Sequence, residues 1–432
     1  MNILAINGID LFNPYLDVIV ICVIIIFSYN FNIISRHTNI PSVLMLIGLG
    51  ILIKQGLTAL QIEVGENLVH LLEMVGIVGL IMIVLEAALE LELTRAKTSL
   101  ILKSFFIAFL GLLLTSFLTA YIIHTFIVSD LYIAMLYAVP LSILSSAIII
   151  PSVAGLMKSK KEFLVYESAF SDILGIMFFY FLIAHADSTS IGGIVLSVSL
   201  NIFSTVILAV LASYFLVWLL QRINSQEKMI LLISVLVMLY AIAKMLHLSS
   251  LIIILIFGLV LNNYAHFFRG KLKSWIREEK LIPVLEDFQM ITIEAAFFIR
   301  TFFFVLFGIS LELTDLLDLN AALISLGIVA SVLLVRFLCL KLFGMKHIVT
   351  ELFIAPRGLI TILLFFGIPA AYQSADFNPG ILLYTIIITS IIMAVVLVTK
   401  GKETERYEVL EFDNWEELDE EIAELGRSKP SK

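Results

Sequence analysis

The sequence predicts an all-α polytopic membrane protein of about 13 transmembrane helices, with an inverted repeat and crossed broken helices. Three observations predict it: composition, the alternation of basic residues between successive loops, and one short motif that recurs before a proline-interrupted span. Of 432 residues, 61% are hydrophobic and 14% charged, with a mean hydropathy of +1.08; soluble domains carry about 25% charged residues. The apolar runs are too long for barrel strands. In lipid only helices and closed barrels satisfy their own backbone groups, so helices remain. The first run begins near Tyr15 without a charged start or a small-residue cleavage site, and reads as a retained span. Cys22 and Cys339 both fall in apolar runs, as small core residues rather than a disulfide or metal pair.

Stretches of roughly 16 to 25 apolar residues place spans at 15–34, 40–55, 67–90, 99–127, 132–157, 163–186, 190–222, 228–246, 248–264, 289–312, 319–343, 348–373 and 380–400. Basic residues test this division. Loops after odd-numbered spans hold Arg36; Arg95, Lys97 and Lys103; Lys158, Lys160 and Lys161; Arg222 and Lys228; Arg269, Lys271, Lys273, Arg277 and Lys280; Lys341 and Lys346. Loops after even-numbered spans hold Lys54 and Lys244 beside acids such as Glu63, Asp130, Asp187 and Asp318. Basic loops stay in the cytoplasm, so the N-terminus is expected outside and the C-terminus inside. Segment 265–288, with Phe267, Phe268, Trp275 and Ile276 among its basic residues, reads as an amphipathic helix on the cytoplasmic leaflet. The net charge of −8 is concentrated in the tail 401–432, where eleven acidic residues face five basic ones. The spacing of Trp415, Leu418, Ile422 and Leu425 there allows a short amphipathic helix.

The third span ends Leu91-Glu92-Leu93-Thr94 and the tenth ends Leu311-Glu312-Leu313-Thr314. Two spans later each half meets a proline: Ile150-Pro151-Ser152 in the fifth, Ala355-Pro356-Arg357-Gly358 in the twelfth. Spans three to six therefore read as repeated in ten to thirteen, with opposite membrane orientation. Transporters built this way bind substrate where two interrupted helices cross near the midplane. Ser142, Ser145, Ser146 and Ser152 gather around Pro151, where they serve either helix packing or a site.

Charges within spans cost about 2.5–3.5 kcal/mol each on insertion scales and are retained for partners or function. The cations are Arg300, Arg336 and Arg357; the acids are Glu73, Glu86, Glu167, Asp172, Glu294 and Glu351, with Asp17 and Glu90 nearer the edges. Glu167 and Asp172 lie about 140° apart around one helix, so they need not share a partner. Asp172 is nearer mid-span, with Ser168 and Ser171 just before it, and is the better place for a proton and a cation to compete. Glu351 sits towards the cytoplasmic mouth, where a solvated role is expected. His124, His185 and His247 fall at span ends and read as interfacial residues.

The run Glu167-Ser168-Ala169-Phe170-Ser171-Asp172 resembles the Glu-Ser-x-x-Asn-Asp signature of monovalent cation/proton antiporters, in the sodium/proton exchanger branch. Leu85-Glu86-Ala87-Ala88-Leu89-Glu90-Leu91 is similar to that branch's Phe-Glu-Gly-Gly-Leu-x-Leu, Ile40-Pro41 to its Ile-Pro start of the second span, and Arg357-Gly358-Leu359 to its Arg-Gly-Leu. The likeness covers residues 15 to 400. It implies a homodimeric exchanger of elevator type, in which a core domain (99–188 and 319–400) moves against helices 1–98 and 189–318. It implies a monovalent cation or a proton on Asp172, with help from Ser168, Ser171, Ser146 and Glu86. Glu167 would brace Arg336, and Arg357 would hold the crossing at Pro151, Ser152, Pro356 and Gly358. Two departures stand out. Ser171 replaces the family's Asn or Asp, and Ile149-Ile150 precedes Pro151 where Thr-Asp is usual, which leaves one carboxylate at the crossing and favours one-for-one exchange.

The expected function is thus secondary antiport of protons against Na+ or K+ in the cell (inner) membrane, with the lipid bilayer as surroundings and no cofactor or nucleic acid. Nothing in the chain has the pattern of a nucleotide loop, a metal-ligand set or a Ser/His/Asp constellation, so no enzyme is expected. The rivals are an exchange-deficient sensor or complex subunit of the same fold, and a sodium-coupled symporter for a small organic anion.

Overall fold

A computed structural model describes residues 5–6, 9–10 and 14–411, except 39–40, 60–66, 92, 94–96, 154, 185–190, 222–227, 246–247, 249, 269–276, 312–317 and 346–347. After a two-residue strand pair, Ala5–Ile6 with Ile9–Asp10, the described chain is helical. In order come α1 (Pro14–Thr38), α2 (Ser42–Ala59), α3 (Asn67–Glu90), α4 (Thr98–Phe126), α5 (Leu131–Ser142), α6 (Ser146–Ser152), α7 (Lys158–Ala184) and α8 (Ile191–Leu220). Then follow α9 (Lys228–Met245), α10 (Ser250–Asn262), α11 (Tyr264–Phe267), α12 (Glu278–Ser310), α13 (Leu319–Leu342), α14 (Val349–Phe353), α15 (Leu359–Phe366) and α16 (Gly380–Glu411). Pairs α5/α6 and α14/α15 are the fifth and twelfth spans, each broken in two. Eight spans among the described residues are individually long and apolar enough to cross a membrane, and shorter apolar helices accompany them.

The ends of these helices follow from local chemistry. Asp130 and Asp318 cap α5 and α13, each carboxylate accepting the N–H groups two and three residues on. Those donors would otherwise be orphans. Beyond α13 the chain turns through Gly344 at φ 68°, a left-handed conformation cheap only for glycine.

Packing sorts the helices into two bodies. α1–α3, α8–α10 and α12 pack with one another, and α4–α7 pack with α13–α16. The first is drawn tight where α2 meets α12: a Cβ on Gly50 would strike the Val305 carbonyl and lie 2.8 Å from the Gly308 Cα. Small residues let membrane helices approach in this way. α3 and α12 meet α7 and α15 along the seam between the bodies.

Three expectations shift. Segment 265–288 is not one surface helix among the described residues: 278–288 forms the start of α12, where Leu281, Val284 and Phe288 are buried, and 269–276 lies outside the description. α16 continues to Glu411 rather than stopping near 400, while Trp415 and the rest of the tail lie outside it. Glu351 is 2% exposed rather than solvated, because α14 is tucked against α13 and α16.

Candidate ion site at the crossed helices

The fifth span breaks at 143–145, not at Pro151. Pro151 and Ser152 belong to α6, and the expectation that they form the break is corrected. Three N–H groups freed at the break find partners outside the helix. Leu144 N–H donates to Ser171 Oγ (3.0 Å). Ser145 N–H donates to the Pro356 carbonyl of the other broken span (3.0 Å), and Ser146 N–H to Asp172 Oδ2 (3.2 Å). Two carbonyls at the end of α5 are taken by Arg357, whose Nε donates to Leu141 O (2.9 Å) and whose Nη2 donates to Ser142 O (3.2 Å). Its Nη1 holds Ala355 O (2.7 Å) and its N–H reaches Thr389 Oγ1 (3.2 Å). Buried backbone groups need such partners, and a guanidinium at the C-terminus of α5 also meets its helix dipole favourably. Arg357 is 1% exposed; it serves as a cationic staple for unwound chain.

The two broken spans touch closely. Pro356 and Gly358 do lie in the extended stretch between α14 and α15. A Cβ on Gly358 would come within 2.5 Å of Ser145 Oγ and 2.8 Å of Ile148 Cδ1. Any larger residue at 358 would have to displace Ser145 and Ile148.

At this crossing lies Asp172, 3% exposed. Its Oδ2 has the Ser146 N–H; its Oδ1 is buried with no hydrogen-bond partner, and so are the hydroxyls of Ser145 and Ser146. Buried polar atoms are normally paired, and each exception asks for an explanation. Three such oxygens belong to two adjoining serines and the carboxylate bonded to one of them. Ser168 is one turn earlier on α7 and donates to Val165 O (3.2 Å).

The second carboxylate of α7 has a different fate. Glu167 and Arg336 form a two-pronged pair, Nη1 to Oε1 and Nη2 to Oε2, both 2.7 Å. Arg336 Nε also holds the Glu351 carbonyl at 2.7 Å, tying α7, α13 and α14 together. Lys160 stands 3.5 Å from the Glu351 carboxylate. Beside the pair a cavity of about 20 Å³ is lined by Ser142, Ser171, Arg336 and Arg357 among others, room for one water with polar partners. Glu86 is turned to Arg300: both its oxygens are 3.3 Å from Nη2. Expected beside the ion, it is engaged by a cation instead.

A family model described as "Sodium/hydrogen exchanger, transmembrane" matches residues 19–400. The chain belongs to the sodium/hydrogen exchanger family. Members of this family are transporters rather than enzymes. Its fold is that of the sodium proton antiporter MjNhaP1 from Methanocaldococcus jannaschii: one structure, at pH 8, aligns at 18% identity and TM-score 0.67, covering 90% of this chain and 96% of that one. A second, an electron-microscopy structure, aligns at 17% identity and TM-score 0.65, covering 97% and 100%. No curated protein sequence matches the chain.

Within this exchanger the structure joins Asp172 to Ser146 and Glu167 to Arg336, brings Ser171 to the break, and puts Arg357 at the crossing. It ties Glu86 to Arg300. What sequence reasoning missed is the position of the break. The residue whose backbone meets Asp172 is Ser146, whereas Ile149 is packed inside α6 with no exposure. Pro140 lies inside α5 and removes one backbone donor, but it does not mark the opening three residues on.

Proposed function

We propose that the chain exchanges protons for a monovalent cation, sodium or potassium, and that Asp172 carries one or the other, never both. The observation that supports this is the group of buried, unpartnered oxygens: Asp172 Oδ1, Ser145 Oγ and Ser146 Oγ. Hard cations take oxygen ligands. A proton on Asp172 or a cation beside it neutralises the carboxylate equally, and a neutralised site crosses a low-dielectric barrier far more cheaply than a bare anion. The other charges at the crossing do not compete. Glu167 is consumed by Arg336 and Arg357 by carbonyls, so they act as fixed braces.

With one exchangeable carboxylate, one-for-one electroneutral exchange is the simplest stoichiometry. Alternating access would follow from movement of the body α4–α7 with α13–α16 against the other, an elevator whose stationary part also forms a homodimer. The protein would sit in the cell (inner) membrane with its N-terminus outside and its tail in the cytoplasm. Ser168 and Ser171 take supporting roles, one back-bonded within α7 and one holding the break open.

The test is exchange by the purified chain in proteoliposomes, with sodium, potassium and lithium compared across neutral and alkaline pH. Cation-dependent proton flux supports antiport. Its absence under every cation favours an exchange-deficient sensor, and sodium-driven uptake of an organic anion favours a symporter.

A further inference from the structure

The exchange reading gives roles to Asp172 and its serines but leaves Arg300 unused. Arg300 is on α12 in one body, and its Nη1 donates to the Ala147 carbonyl of α6 in the other, at 3.0 Å. Its Nη2 is held by Glu86 of α3. The two side chains are 13% and 10% exposed, so the pair is largely shielded from solvent. The carbonyl is open to a guanidinium for a reason written in the sequence. In an α-helix it would take the N–H of residue 151, and Pro151 has none. A proline in the half-helix beside the ion site thus leaves one carbonyl for an arginine of the opposing body. Hydrogen bonds from an ionised donor are roughly twice as strong as neutral ones.

We propose that Arg300 is a positioning residue: anchored on Glu86, it latches Ala147 and stabilises the conformation seen here against the alternative in which the two bodies have shifted. This rests on the reading of the chain as an alternating-access exchanger. Apparent affinity scales with the fraction of molecules that face a given side. Releasing the latch moves population from one facing to the other, so the apparent KM for sodium must rise on one side and fall on the other. Loss of a cation ligand raises KM on both sides. A folding defect lowers maximal rate and leaves both KM values alone.

The experiment measures sodium KM from each side in oriented proteoliposomes for wild type, Arg300→Gln, Arg300→Lys and Glu86→Gln. It is paired with amide hydrogen exchange of residues 146–152 in the purified proteins. For Arg300→Gln we expect KM to rise on one side and fall on the other so that their ratio changes about fivefold, the equivalent of ~1 kcal/mol, and faster amide exchange in 146–152 with α13 unchanged. Glu86→Gln shifts KM in the same opposed sense by less, and Arg300→Lys lies between. KM values that move together, or that stay put with unchanged protection of 146–152, overturn the latch. If Arg300→Gln does not fold, Arg300→Lys carries the same comparison. If wild type itself shows no exchange, the functional reading fails. Amide protection in 146–152 then decides the latch alone: faster exchange in the variant supports it, and equal exchange ends it.

Discussion

Asp172 accepts the backbone N–H of Ser146 through one carboxylate oxygen, at 3.2 Å, and keeps the other buried and unpartnered. One oxygen therefore belongs to the architecture of the broken helix and the other is uncommitted. The neighbouring acid of the same helix, Glu167, has both oxygens committed to Arg336. Two carboxylates five residues apart thus divide into a proposed site and a brace.

The brace is a stability prediction. Removing Glu167 leaves Arg336, 6% exposed, as an uncompensated buried charge. Breaking such a pair costs about 3–5 kcal/mol. Glu167→Ala should lower the thermal midpoint of the detergent-purified protein sharply, while a double replacement of Glu167 and Arg336 by neutral residues recovers part of the loss. Equal melting of Glu167→Ala and wild type contradicts the assignment.

The crossing can be tested sterically. Gly358→Ala drives a Cβ into Ser145 Oγ and Ile148. Overpacking of this kind costs about 1–3 kcal/mol, and here it pushes apart the strands that frame the site. Exchange should fall steeply in a protein that still inserts and purifies as a folded species. A fully active Gly358→Ala places the transport path elsewhere.

Ser145 and Ser146 should set cation affinity rather than proton affinity. Each hydroxyl removed by Ser→Ala deletes one candidate ligand, worth ~1 kcal/mol or about fivefold in KM. We expect the apparent KM for the cation to rise in Ser145→Ala and Ser146→Ala, with maximal rate little changed. Unchanged KM in both variants removes the serines from the site.

One pH effect lies outside the spans. Asp318 caps α13, accepting the N–H groups of Asn320 and Ala321 and the amide of Asn378. These bonds, the Asn320 N–H first, hold its carboxyl below the usual range. A depressed carboxyl contributes stability that is present above its unfolded pKa, near ~3.9, and is lost as pH falls through the lower folded value. Amide exchange in the first turn of α13 should therefore accelerate on acidification below that range. Asp318→Asn, which keeps an acceptor but no charge, should weaken the dependence.

Much of this was legible in the sequence. Span count and the family signature are one-dimensional patterns, set by hydropathy and by the order of residues in α7. The pairing of Glu167 with Arg336 was legible only through resemblance, since 169 residues separate them. The position of the break was not legible from Pro151, because a proline marks a missing donor and not the place where a helix opens. The opening at 143–145 is fixed by partners distant in sequence: Pro356, Arg357, Ser171 and Asp172. The engagement of Glu86 was hidden for the same reason, since it depends on Arg300 arriving from α12.

The central claim is that one carboxylate, Asp172, carries both the cation and the proton. Its most direct test is cation-induced proton flux through Asp172→Asn in proteoliposomes, beside wild type at equal protein density. Asparagine keeps the shape and an oxygen for the Ser146 N–H but can neither bind a proton in the relevant range nor neutralise a cation. The account predicts flux at the level of empty liposomes for Asp172→Asn and robust flux for wild type. Wild-type flux through Asp172→Asn would contradict it.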